Sequence, residues 1–505
     1  MSARRAKSLM VQGTMSGVGK SLLVAGLCRV LAREGIRVAP FKSQNMALNS
    51  AITRDGLEIG RAQAMQAEAA GIEPTAAMNP VLLKPTTNTG SQVIVRGKAI
   101  GTMPAREYFS FRASLAGQVR EAYEELAREY DVVLIEGAGS PVELNLKRDD
   151  IVNMGMARLA GSPVLLVGDI DRGGVFAQLI GTMMLLEEDE RRMVRASVVN
   201  KFRGDASLFA DGMQILRERM GVPVAGLVPY MDVDVDDEDS MSERLLRRAA
   251  TGLVDVAVVR LPKISNFTDF VALEAADGMG VRYVRDVADL GHPDLVVLPG
   301  TKATMADLRW LRTSGLEAAL LRLVDAGVPL LGVCGGYQML GTSVCDPRGV
   351  EGGGELAGMG LLPVRTMFGE AKRTTRTRGR FAHVDGALLA LRGAPIRGYE
   401  IHMGQTVVEG GEPLVELLNE NGEVVGLDGC QKGNVYGCYL HGLFDEREAC
   451  QAIATALLGA RGLDGAAVRA VSMEAYRQQQ YDVLADGIAA NMDMDLVHRI
   501  IERGL

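Results

Sequence analysis

The segment Gly13–Ser21, with the sequence GTMSGVGKS, constrains the fold more than any other part of the chain. It follows the short apolar run Leu9–Val11 and opens the stretch Ser21–Arg33, whose apolar residues have helical spacing. Glycines at a strand-to-helix turn let backbone N–H groups converge on phosphate oxygens, and a helix N-terminus favours an anion. Lys20 adds a positive charge, and the Ser21 hydroxyl can bind Mg²⁺. The segment therefore predicts a phosphate-binding loop (P-loop) that binds a nucleotide.

This loop departs from the standard pattern G-x-x-x-x-G-K-[ST] at one position. Thr14 stands where the pattern has its first glycine, and Gly13 lies one residue earlier. Gly17 and Gly19 supply the glycines just before the lysine. The alternative reading is a glycine-rich structural turn, but the strand, the Gly-Lys-Ser sequence and the helix together favour nucleotide binding.

Alternation of short apolar runs with helical stretches indicates α/β architecture. In the first half the runs are continuously apolar, as is typical of parallel strands covered on both faces. These predicted strands are Leu9–Val11, Val38–Phe41, Val132–Ile135, Val164–Val167 and Ala196–Val199. A second series comprises Val254–Leu261, Leu295–Leu298 and Leu330–Val333, followed by shorter strands at Val424–Val425 and Val435–Tyr439. The prediction is two doubly wound α/β domains.

Composition changes divide the 505 residues into four predicted regions. A P-loop domain spans 1–228, and a second α/β domain spans 252–445. Residues 229–251 contain a run of acidic residues and are predicted to be a solvated linker. Residues 446–505 have helical spacing and are predicted to be a C-terminal helical extension.

Acidic residues at the ends of predicted strands are candidates for a magnesium site, because open α/β sheets bind ligands at that edge. Glu136 ends the run Val132–Ile135 and precedes Gly-Ala-Gly, and Asp55 follows the second strand in a loop-rich segment. Asp169 and Asp171 also follow a strand. Each acid has a structural alternative as a helix cap; Glu136 and Asp55, with Ser21, are the predicted metal ligands.

Cys334 lies in the sequence Gly332-Val333-Cys334-Gly335-Gly336, between a predicted strand and a predicted helix. This is a nucleophile elbow with Cys in place of Ser: the sharp turn exposes the side chain, and the next backbone N–H faces an oxyanion. The alternative is a buried structural cysteine, but this context predicts a catalytic thiol.

A thiol nucleophile needs a base, and the chain has only five histidines. His441, in Tyr-Leu-His-Gly-Leu-Phe, and His402, in Tyr-Glu-Ile-His, are the candidates. The spacing of Cys438 and His441 would also suit zinc, but no second closely spaced pair accompanies it. The prediction is catalysis by Cys334 with a histidine base.

Charge and composition exclude several classes of protein. The net charge is −8, so nucleic acid is not an expected partner. Six scattered cysteines without a C-x-x-C pair suit a reduced, cytoplasmic chain. No run approaches the ~18 apolar residues of a membrane span, and the first residues lack a signal-peptide core.

The basic stretch Lys372–Arg380 is interpreted as a solvated loop or, alternatively, as a contact with an acidic substrate or with the other domain.

Longer segments resemble one family over nearly the whole chain. The P-loop with Glu136-Gly137-Ala138-Gly139 resembles dethiobiotin synthetase-like enzymes, and the elbow with His441 resembles class I glutamine amidotransferases. Their fusion in this order is similar to the cobyric acid synthase family. The segments that carry this resemblance are Phe41–Met46, Glu58–Ala64, Met78–Pro85, Gly168–Gly174, Asn200–Asp205, Tyr399–Gly404 and Tyr439–Gly442.

The resemblance implies ATP- and glutamine-dependent amidation of four peripheral carboxylates (b, d, e and g) of adenosylcobyrinic acid a,c-diamide. It implies that Cys334 attacks the glutamine amide, that His441 transfers the proton, and that Gly335 and the turn Pro299–Thr301 hold the oxyanion. Ammonia would then attack an acyl phosphate made from ATP in the first domain. Asn200 is placed near the adenine by the same resemblance. The expected partners are a corrinoid polycarboxylate, ATP and L-glutamine.

Three points stay open at this level. Many class I glutaminases have an acid two residues after the histidine, where this chain has Leu443, so the third member of the triad is unassigned and Glu400 is only a candidate. The alternative functions are cobyrinic acid a,c-diamide synthase, CTP synthase or a non-enzymatic ATP switch. Oligomeric state cannot be read from the sequence.

Overall fold

The structure is a computed structural model that describes residues 5–86, 90–235, 245 and 252–505. The first domain has twelve strands and eight α-helices among these residues. Its strands are β1 (Lys7–Gly13), β2 (Val38–Phe41), β3 (Gln44–Met46), β4 (Ser50–Ile52), β5 (Glu58–Gly60), β6 (Val81–Pro85), β7 (Gly90–Val95), β8 (Lys98–Pro104), β9 (Val132–Glu136), β10 (Val164–Asp169), β11 (Val194–Phe202) and β12 (Val224–Pro229). Its helices are α1 (Lys20–Arg33), α2 (Arg61–Ala69), α3 (Ala105–Arg112), α4 (Ala116–Glu129), α5 (Met154–Ala160), α6 (Val175–Leu185), α7 (Glu188–Met193) and α8 (Ala210–Met220).

Six of these strands form a parallel sheet in the order β12-β11-β10-β1-β9-β2. β9 and β10 are buried along their whole length, as expected for strands covered by helices on both faces. Because β1 lies between β9 and β10, the loops that follow these three strands meet at one edge of the sheet. This edge carries the P-loop. A smaller sheet, β3-β6-β7-β8, and the hairpin β4-β5 extend the domain toward the second domain.

The second domain is built on another six-stranded sheet, in the order β14-β13-β15-β16-β24-β23. The elements of this half are β13 (Val254–Val259), α9 (Val271–Ala275), β14 (Met279–Val284), α10 (Val287–Leu290), β15 (Leu295–Leu298), α11 (Thr304–Thr313), α12 (Leu316–Asp325), β16 (Leu330–Val333), α13 (Gly335–Leu340), β17 (Ser343–Asp346), β18 (Gly354–Ala357), β19 (Val364–Phe381), β20 (Pro395–Val408), β21 (Val415–Leu418), β22 (Val424–Asp428), β23 (Cys430–Lys432), β24 (Val435–Cys438) and α14 (Arg447–Ala460). All pairs in this sheet are parallel except β23 with β24. Both domains thus have the predicted α/β architecture.

A second sheet in this domain, β18-β17-β19-β21-β22, is completed by the long antiparallel pair β19 and β20. The basic stretch Lys372–Arg380 belongs to β19 and is therefore a strand. Its side chains contact the first domain: Thr374 Oγ1 donates to Gly56 O at 2.7 Å, and Arg376 Nε donates to Ile52 O at 2.7 Å. Of the two interpretations of this stretch, the contact with the other domain is the one observed.

The C-terminal region is helical and is shared between the two domains. α14 packs in the core of the second domain, whereas α15 (Met473–Asn491) and α16 (Met494–Arg503) pack on the first. Leu484 and Ile488 of α15 lie in one apolar cluster with Val24 and Leu27 of α1. A Cβ on Gly26 would lie only 2.1 Å from Ile488 Cδ1, so the two helices require a glycine to approach this closely.

The predicted linker 229–251 lies largely outside the described residues. Within the part that is described, Tyr476 Oη of α15 donates to Asp234 at 2.9 Å. In the described part of the chain, no helix is long and apolar enough to cross a membrane.

Candidate active sites

The P-loop connects β1 to α1, and its glycines have the conformations that such a turn requires. Gly17 and Gly19 have φ of 73° and 91°, in the left-handed region that side chains rarely adopt. At Gly13 a Cβ would lie 2.5 Å from Val18 Cγ2, so a side chain there would displace the loop. Thr14 extends toward α6, where its Oγ1 donates to Gln178 Oε1 at 3.1 Å. The sequence departs from the standard pattern at Thr14 without loss of the loop.

Lys20 and Ser21 begin α1 and face the neighbouring strand β9. Lys20 Nζ donates to the backbone carbonyls of Met15 and Gly139, at 3.1 and 3.2 Å. Ser21 Oγ donates to Glu136 Oε1 at 2.8 Å. The structure therefore brings together Ser21 and Glu136, two of the three predicted metal ligands.

Glu136 is a buried carboxylate with three side-chain donors. Besides Ser21, Lys42 Nζ donates to its Oε1 at 2.9 Å and Gln66 Nε2 donates to its Oε2 at 2.6 Å. Sequence reasoning assigned no role to Lys42 or Gln66. A signal existed for Lys42, since it directly follows β2, whose carboxyl end lies at the same sheet edge; Gln66 is on α2, and no local pattern connects it with Glu136.

Asp55 is not part of this group. It is an exposed residue in the turn between β4 and β5, where its carboxylate accepts a hydrogen bond from Thr53 Oγ1 at 2.5 Å. It lines a surface cavity with Arg54, Arg96 and Lys98. The described residues contain no group of three or more His, Cys, Asp or Glu side chains that could hold a metal ion. Asp55 therefore interacts within the hairpin turn that carries it, and its role as a metal ligand stays a prediction.

Asn200 and the two aspartates after β10 lie on the other side of the P-loop. Asn200 Nδ2 donates to Val18 O at 2.8 Å, so this side chain is hydrogen-bonded to the backbone of the P-loop. Asp169 forms an ion pair with Lys201 at 3.0 Å, and Asp171 pairs with Arg203 at 2.8 Å. Both aspartates therefore have basic partners.

Cys334 occupies the predicted elbow between β16 and α13. Its φ of 51° and ψ of −106° are strained for a residue with a side chain, as is typical of a nucleophile elbow. Close packing explains the neighbouring glycines. A Cβ on Gly336 would lie 2.0 Å from Leu298 O, and one on Gly335 would lie 3.1 Å from Thr301 N. The backbone of Gly335 and the turn after β15 therefore approach each other beside the thiol, as the oxyanion prediction requires.

His441 follows β24 and contacts Cys334 on one side and Asp269 on the other. Its Nδ1 lies 2.7 Å from Asp269 Oδ2, and its ring is hydrogen-bonded to the thiol. Burial opposes the positive charge of His441, but the charge and hydrogen bond of Asp269, with those of Cys334, outweigh it and raise the pKa to about 10. Cys334, His441 and Asp269 thus have the arrangement expected of a nucleophile, a base and an orienting acid.

Asp269 corrects the expectation for the third member of the triad. The candidate Glu400 instead pairs with Arg373 at 2.5 Å. Asp269 also accepts a hydrogen bond from Gly442 N at 3.1 Å, so one carboxylate fixes both the ring and the loop that carries it. The sequence contained no signal for this residue, because it lies 172 positions before His441 in a short 3₁₀ turn, Phe267–Phe270.

His402, the other candidate base, interacts with Gly404 and Tyr439. Its Nδ1 lies 2.8 Å from Gly404 O, and its ring stacks on Tyr439 with centroids 3.7 Å apart. Burial lowers the pKa of His402 to about 4, so it is neutral at pH 7. Cys438 is buried and its Sγ contacts Leu440 O, whereas the His441 ring faces Asp269, so these two residues do not converge on one point.

A cavity of about 770 Å³ lies beside this triad. Its lining includes Arg373, Glu400, His402 and Tyr439. Cys334 Sγ lies 3.7 Å from the carbonyl oxygen of Ile401, which stands between Glu400 and His402 in the sequence. Arg373 and Glu400 form an ion pair in this lining, so the cavity presents both a positive and a negative group at its wall.

A contact with the first domain is linked to His441 through one residue, Asn266. Asn266, which has a φ of 53°, places its Nδ2 3.3 Å from His441 Nε2. Its backbone N–H donates to Asn49 Oδ1 of the first domain at 2.8 Å. The thiol site therefore lies at the domain interface.

Comparisons with known proteins match both domains. Residues 9–242 match the model of the CobQ/CobB/MinD/ParA nucleotide binding domain, and residues 255–449 match that of the CobB/CobQ-like glutamine amidotransferase domain. A cobyric acid synthase of Ruminiclostridium cellulolyticum is 52% identical over 503 residues, which cover 99% of this chain and 98% of that protein.

Cobyric acid synthases of other bacteria are similar over the same length. That of Lachnoclostridium phytofermentans is 50% identical, covering 99% of this chain and 100% of the relative. That of Yersinia enterocolitica is 48% identical, covering 98% of each chain. With a nucleotide-binding and a glutamine amidotransferase domain in this order and half of all residues shared over the full length, the chain belongs to the cobyric acid synthase family.

Proposed function

We propose that this chain uses ATP and glutamine to amidate the b, d, e and g carboxylates of adenosylcobyrinic acid a,c-diamide, giving adenosylcobyric acid. The observation that carries the proposal is the complete Cys334–His441–Asp269 triad in the same chain as a P-loop. Glutamine hydrolysis supplies ammonia, and the P-loop domain activates the carboxylates. The P-loop domain is called the synthetase domain below, and the second domain the glutaminase domain.

In the glutaminase domain, the Cys334 thiolate attacks the amide carbon of glutamine. The raised pKa of His441 keeps its ring protonated near pH 7, so it pairs with the thiolate and can give a proton to the leaving nitrogen. The C–N bond breaks, ammonia leaves, and water then hydrolyses the thioester to glutamate. Backbone N–H groups of Gly335 and of the turn Pro299–Thr301 are proposed to stabilise the oxyanion. The cavity beside Glu400 and Arg373 is the proposed site of the glutamine amino acid head.

In the synthetase domain, a substrate carboxylate takes the γ-phosphoryl group of ATP and ADP leaves. Ammonia attacks the acyl phosphate, the amide forms, and phosphate leaves with a proton passing to solvent. Gly13, Thr14, Gly17, Gly19 and Lys20 form the proposed phosphate cradle. Lys20 would exchange its two carbonyl partners for phosphate oxygens. Asn200, beside the P-loop at the carboxyl end of β11, is proposed to lie near the adenine.

Magnesium is proposed as the metal of this site. The oxygen donors of Ser21 and Glu136 fit Mg²⁺, which prefers oxygen ligands. When bound, the ion neutralises charge on the β- and γ-phosphates. Lys42, which pairs with Glu136 at 2.9 Å, is then positioned to contact the phosphates or the substrate carboxylate. Asp55 has no contact that supports a role as a ligand.

The decisive experiment is a mass-spectrometric time course on corrinoid acids with ATP and glutamine. We expect four successive mass changes, each equal to replacement of OH by NH₂, from the a,c-diamide. Only two amidations, starting from the unamidated acid, would instead indicate cobyrinic acid a,c-diamide synthase. CTP formation from UTP would indicate CTP synthase, and ATP binding without any amidation would indicate a nucleotide switch.

A further inference from the structure

Asp307 is a buried carboxylate near the thiol site with no role in the mechanism proposed so far. It lies on the first turn of α11 and is 2% exposed. Its Oδ2 accepts hydrogen bonds from Thr301 Oγ1 at 2.5 Å and from the backbone N–H of Lys263 at 3.1 Å. Side chains on a helix point toward its N-terminus, which lets Asp307 reach back to Thr301. One buried carboxylate therefore joins two loops, the turn Pro299–Thr301 (the oxyanion turn) and the loop that begins at Lys263.

These two loops also pair with each other through a short antiparallel bridge between Ile264 and Thr301. Two backbone hydrogen bonds lie on either side of the bridge: Ser265 N to Gly300 O, at 2.9 Å, and Lys302 N to Lys263 O, at 3.0 Å. Ile264 and Thr301 are thus a non-hydrogen-bonded pair, whose backbone N–H groups point away from the partner strand. The N–H of Thr301 is therefore directed out of the bridge.

The nucleophile elbow lies on the side to which this N–H points. A Cβ on Gly335 would lie 3.1 Å from Thr301 N, so the nitrogen faces the residue that follows Cys334. Gly335 N–H is the other proposed oxyanion donor. Donors of this kind act through their position, because the negative charge that they stabilise develops only in the transition state. The placement of Thr301 N–H should therefore affect the rate of glutamine hydrolysis.

α11 connects this placement to the elbow. Thr304, the first residue of α11, donates from Oγ1 to Gln338 Oε1 of α13 at 2.9 Å. α13 begins at Gly335, directly after the nucleophile. Because α11 is bonded to α13, Asp307 holds the oxyanion turn in a fixed position relative to the thiol.

The Thr301 hydroxyl has two acceptors, and the carboxylate is the stronger one. The other acceptor is Lys263 O, at 3.0 Å. Burial raises the pKa of Asp307 to about 6, against the opposing hydrogen bonds of Thr301 and Lys263, so Asp307 is largely ionised at pH 7. Hydrogen bonds to an ionised acceptor are shorter and stronger than those to a neutral one. The oxyanion turn is therefore held mainly by Asp307.

We propose that Asp307 is a positioning residue for glutamine hydrolysis, which holds Thr301 so that its N–H and that of Gly335 meet the same oxyanion. This inference rests on the proposed function, because it needs hydrolysis of glutamine at Cys334. Asp307 acts through Thr301 and not on the reacting atoms. Its loss releases the oxyanion turn and leaves the nucleophile and its base in place.

Two reactions of Cys334 separate this role from a merely structural one. Glutamine hydrolysis passes through a tetrahedral intermediate with a negative oxygen. Alkylation by iodoacetamide does not: the thiolate attacks the methylene carbon, the C–S bond forms, the C–I bond breaks and iodide leaves. Displacement of an oxyanion donor should slow hydrolysis and leave alkylation unchanged, whereas damage to the elbow should slow both.

The test compares full-length wild type, Asp307→Ala and Asp307→Asn. Glutamate release with ATP, Mg²⁺ and the corrinoid a,c-diamide gives kcat and KM, and mass spectrometry of the Cys334 peptide gives the alkylation rate. We expect Asp307→Ala to lower kcat by about 10²-fold, because a misplaced donor stabilises the transition state less well. KM and the alkylation rate should stay within about threefold of wild type, since neither depends on the oxyanion. Asp307→Asn keeps a neutral acceptor and should lose no more than about tenfold in kcat.

Asp255→Asn is the matched control. Asp255 pairs with Arg282 at 2.7 Å in the same domain, but at the start of β13 and thus at the opposite end of the sheet from the thiol. We expect its hydrolysis and alkylation rates to stay within about threefold of wild type.

Thr301→Val is the second variant, which keeps the proposal testable if Asp307→Ala fails to fold. It removes the hydroxyl that Asp307 binds and keeps the backbone N–H. We expect kcat to fall by about tenfold with KM and alkylation unchanged. The double variant of Thr301→Val with Asp307→Asn should lose less than the product of the two single losses, because both act on one hydrogen bond.

Three outcomes overturn the inference. The first is a kcat of folded Asp307→Ala within about threefold of wild type. The second is an equal fall in hydrolysis and alkylation, which would show a damaged elbow. The third is a rise in KM with kcat unchanged, which would show a role in glutamine binding. Absence of corrinoid amides in a wild type that still releases glutamate would instead overturn the proposed function, so the failures of the two proposals are distinguishable.

Discussion

The two catalytic centres differ in what neutralises their charged groups. In the glutaminase domain the catalytic groups neutralise one another: His441 contacts both Cys334 and Asp269. In the synthetase domain, Lys20 donates to two backbone carbonyls and Glu136 accepts from three side chains of the domain. The glutaminase centre is held together by contacts among its own catalytic residues. In the synthetase centre, Lys20 must give up its carbonyl partners before it can bind a phosphate.

Chemistry explains the difference. Covalent catalysis needs a nucleophile and a base at hydrogen-bond distance before the substrate arrives. Phosphoryl transfer depends on groups that surround the charge of the ligand itself. Substitutions in the glutaminase domain should therefore change which nitrogen source is used, whereas substitutions in the P-loop should stop amidation from every nitrogen source.

The largest expected effect comes from Cys334→Ser. Loss of the nucleophile should lower glutamine-dependent amidation by about 10⁵-fold, as removal of a catalytic nucleophile does in other enzymes. Amidation with free ammonia should persist, because the synthetase domain is unaltered. Both are measured by mass spectrometry of the corrinoid product.

Cys345→Ser, at a partly exposed cysteine of β17, is the control and should retain glutamine use. Loss of both nitrogen sources in Cys334→Ser would contradict separate sites.

The next effect should come from Asp269→Asn, with an expected loss of about 10³–10⁴-fold in glutamine hydrolysis, because the ring loses its orienting acid. The measurement is glutamate release as a function of pH. Without the carboxylate the pKa of His441 falls, so the protonated ring should be lost at lower pH than in the wild type. Glu400→Gln tests the alternative acid; because Glu400 lines the proposed glutamine site, the comparison is made at saturating glutamine, where a loss of less than about tenfold is expected. A larger loss in Glu400→Gln than in Asp269→Asn would refute the triad.

A smaller effect is expected from Lys20→Ala. Removal of one group that stabilises transferring phosphate should lower amidation by about 10²–10³-fold with either glutamine or ammonia. Glutamate release should continue at a measurable rate, since the triad is intact. Lys7→Ala, at the exposed first residue of β1, is the control. Unchanged ATP-dependent turnover in Lys20→Ala would disprove the P-loop assignment.

The smallest effect concerns stability. The pKa of His441 is raised in the folded protein to about 10, from an ordinary value near 6.5. Its contribution to stability is therefore complete below about pH 6.5 and is lost as the pH rises through about 10. We expect Asp269→Asn to lower the free energy of unfolding by about 2 kcal/mol at pH 6, and by much less near pH 10. Denaturant unfolding at both values checks this, and a difference that grows with pH would contradict the ion pair.

The central sheets were predictable from the sequence because their strands are buried on both faces. The predicted runs Val38–Phe41, Leu295–Leu298 and Leu330–Val333 coincide with β2, β15 and β16. The P-loop and the elbow were equally visible, since each needs its glycines close together in the chain. Such features depend on neighbours in sequence.

Features that depend on distant residues were not predictable. β19 contains Lys372, Arg373, Arg376, Arg378 and Arg380 and lacks an apolar run over that part, yet it is a strand because it pairs with β20 and contacts the first domain. Asp269 reaches His441 only after β13 and β24 take their places in the sheet. Asp55 shows the reverse case: it is close to β2 in sequence, but it lies in a hairpin turn, where its carboxylate accepts from Thr53.

The packing of α15 on α1 has a consequence for how the protein is made. The synthetase domain is translated first, but the helix that covers α1 is among the last segments to leave the ribosome. The intervening stretch of roughly 440 residues takes about 20–90 s to synthesise at about 5–20 residues per second. During that time the apolar face of α1 around Val24 and Leu27 is uncovered, so chaperone binding is expected there. Premature termination in the glutaminase domain would leave the synthetase domain without the helix that packs on α1.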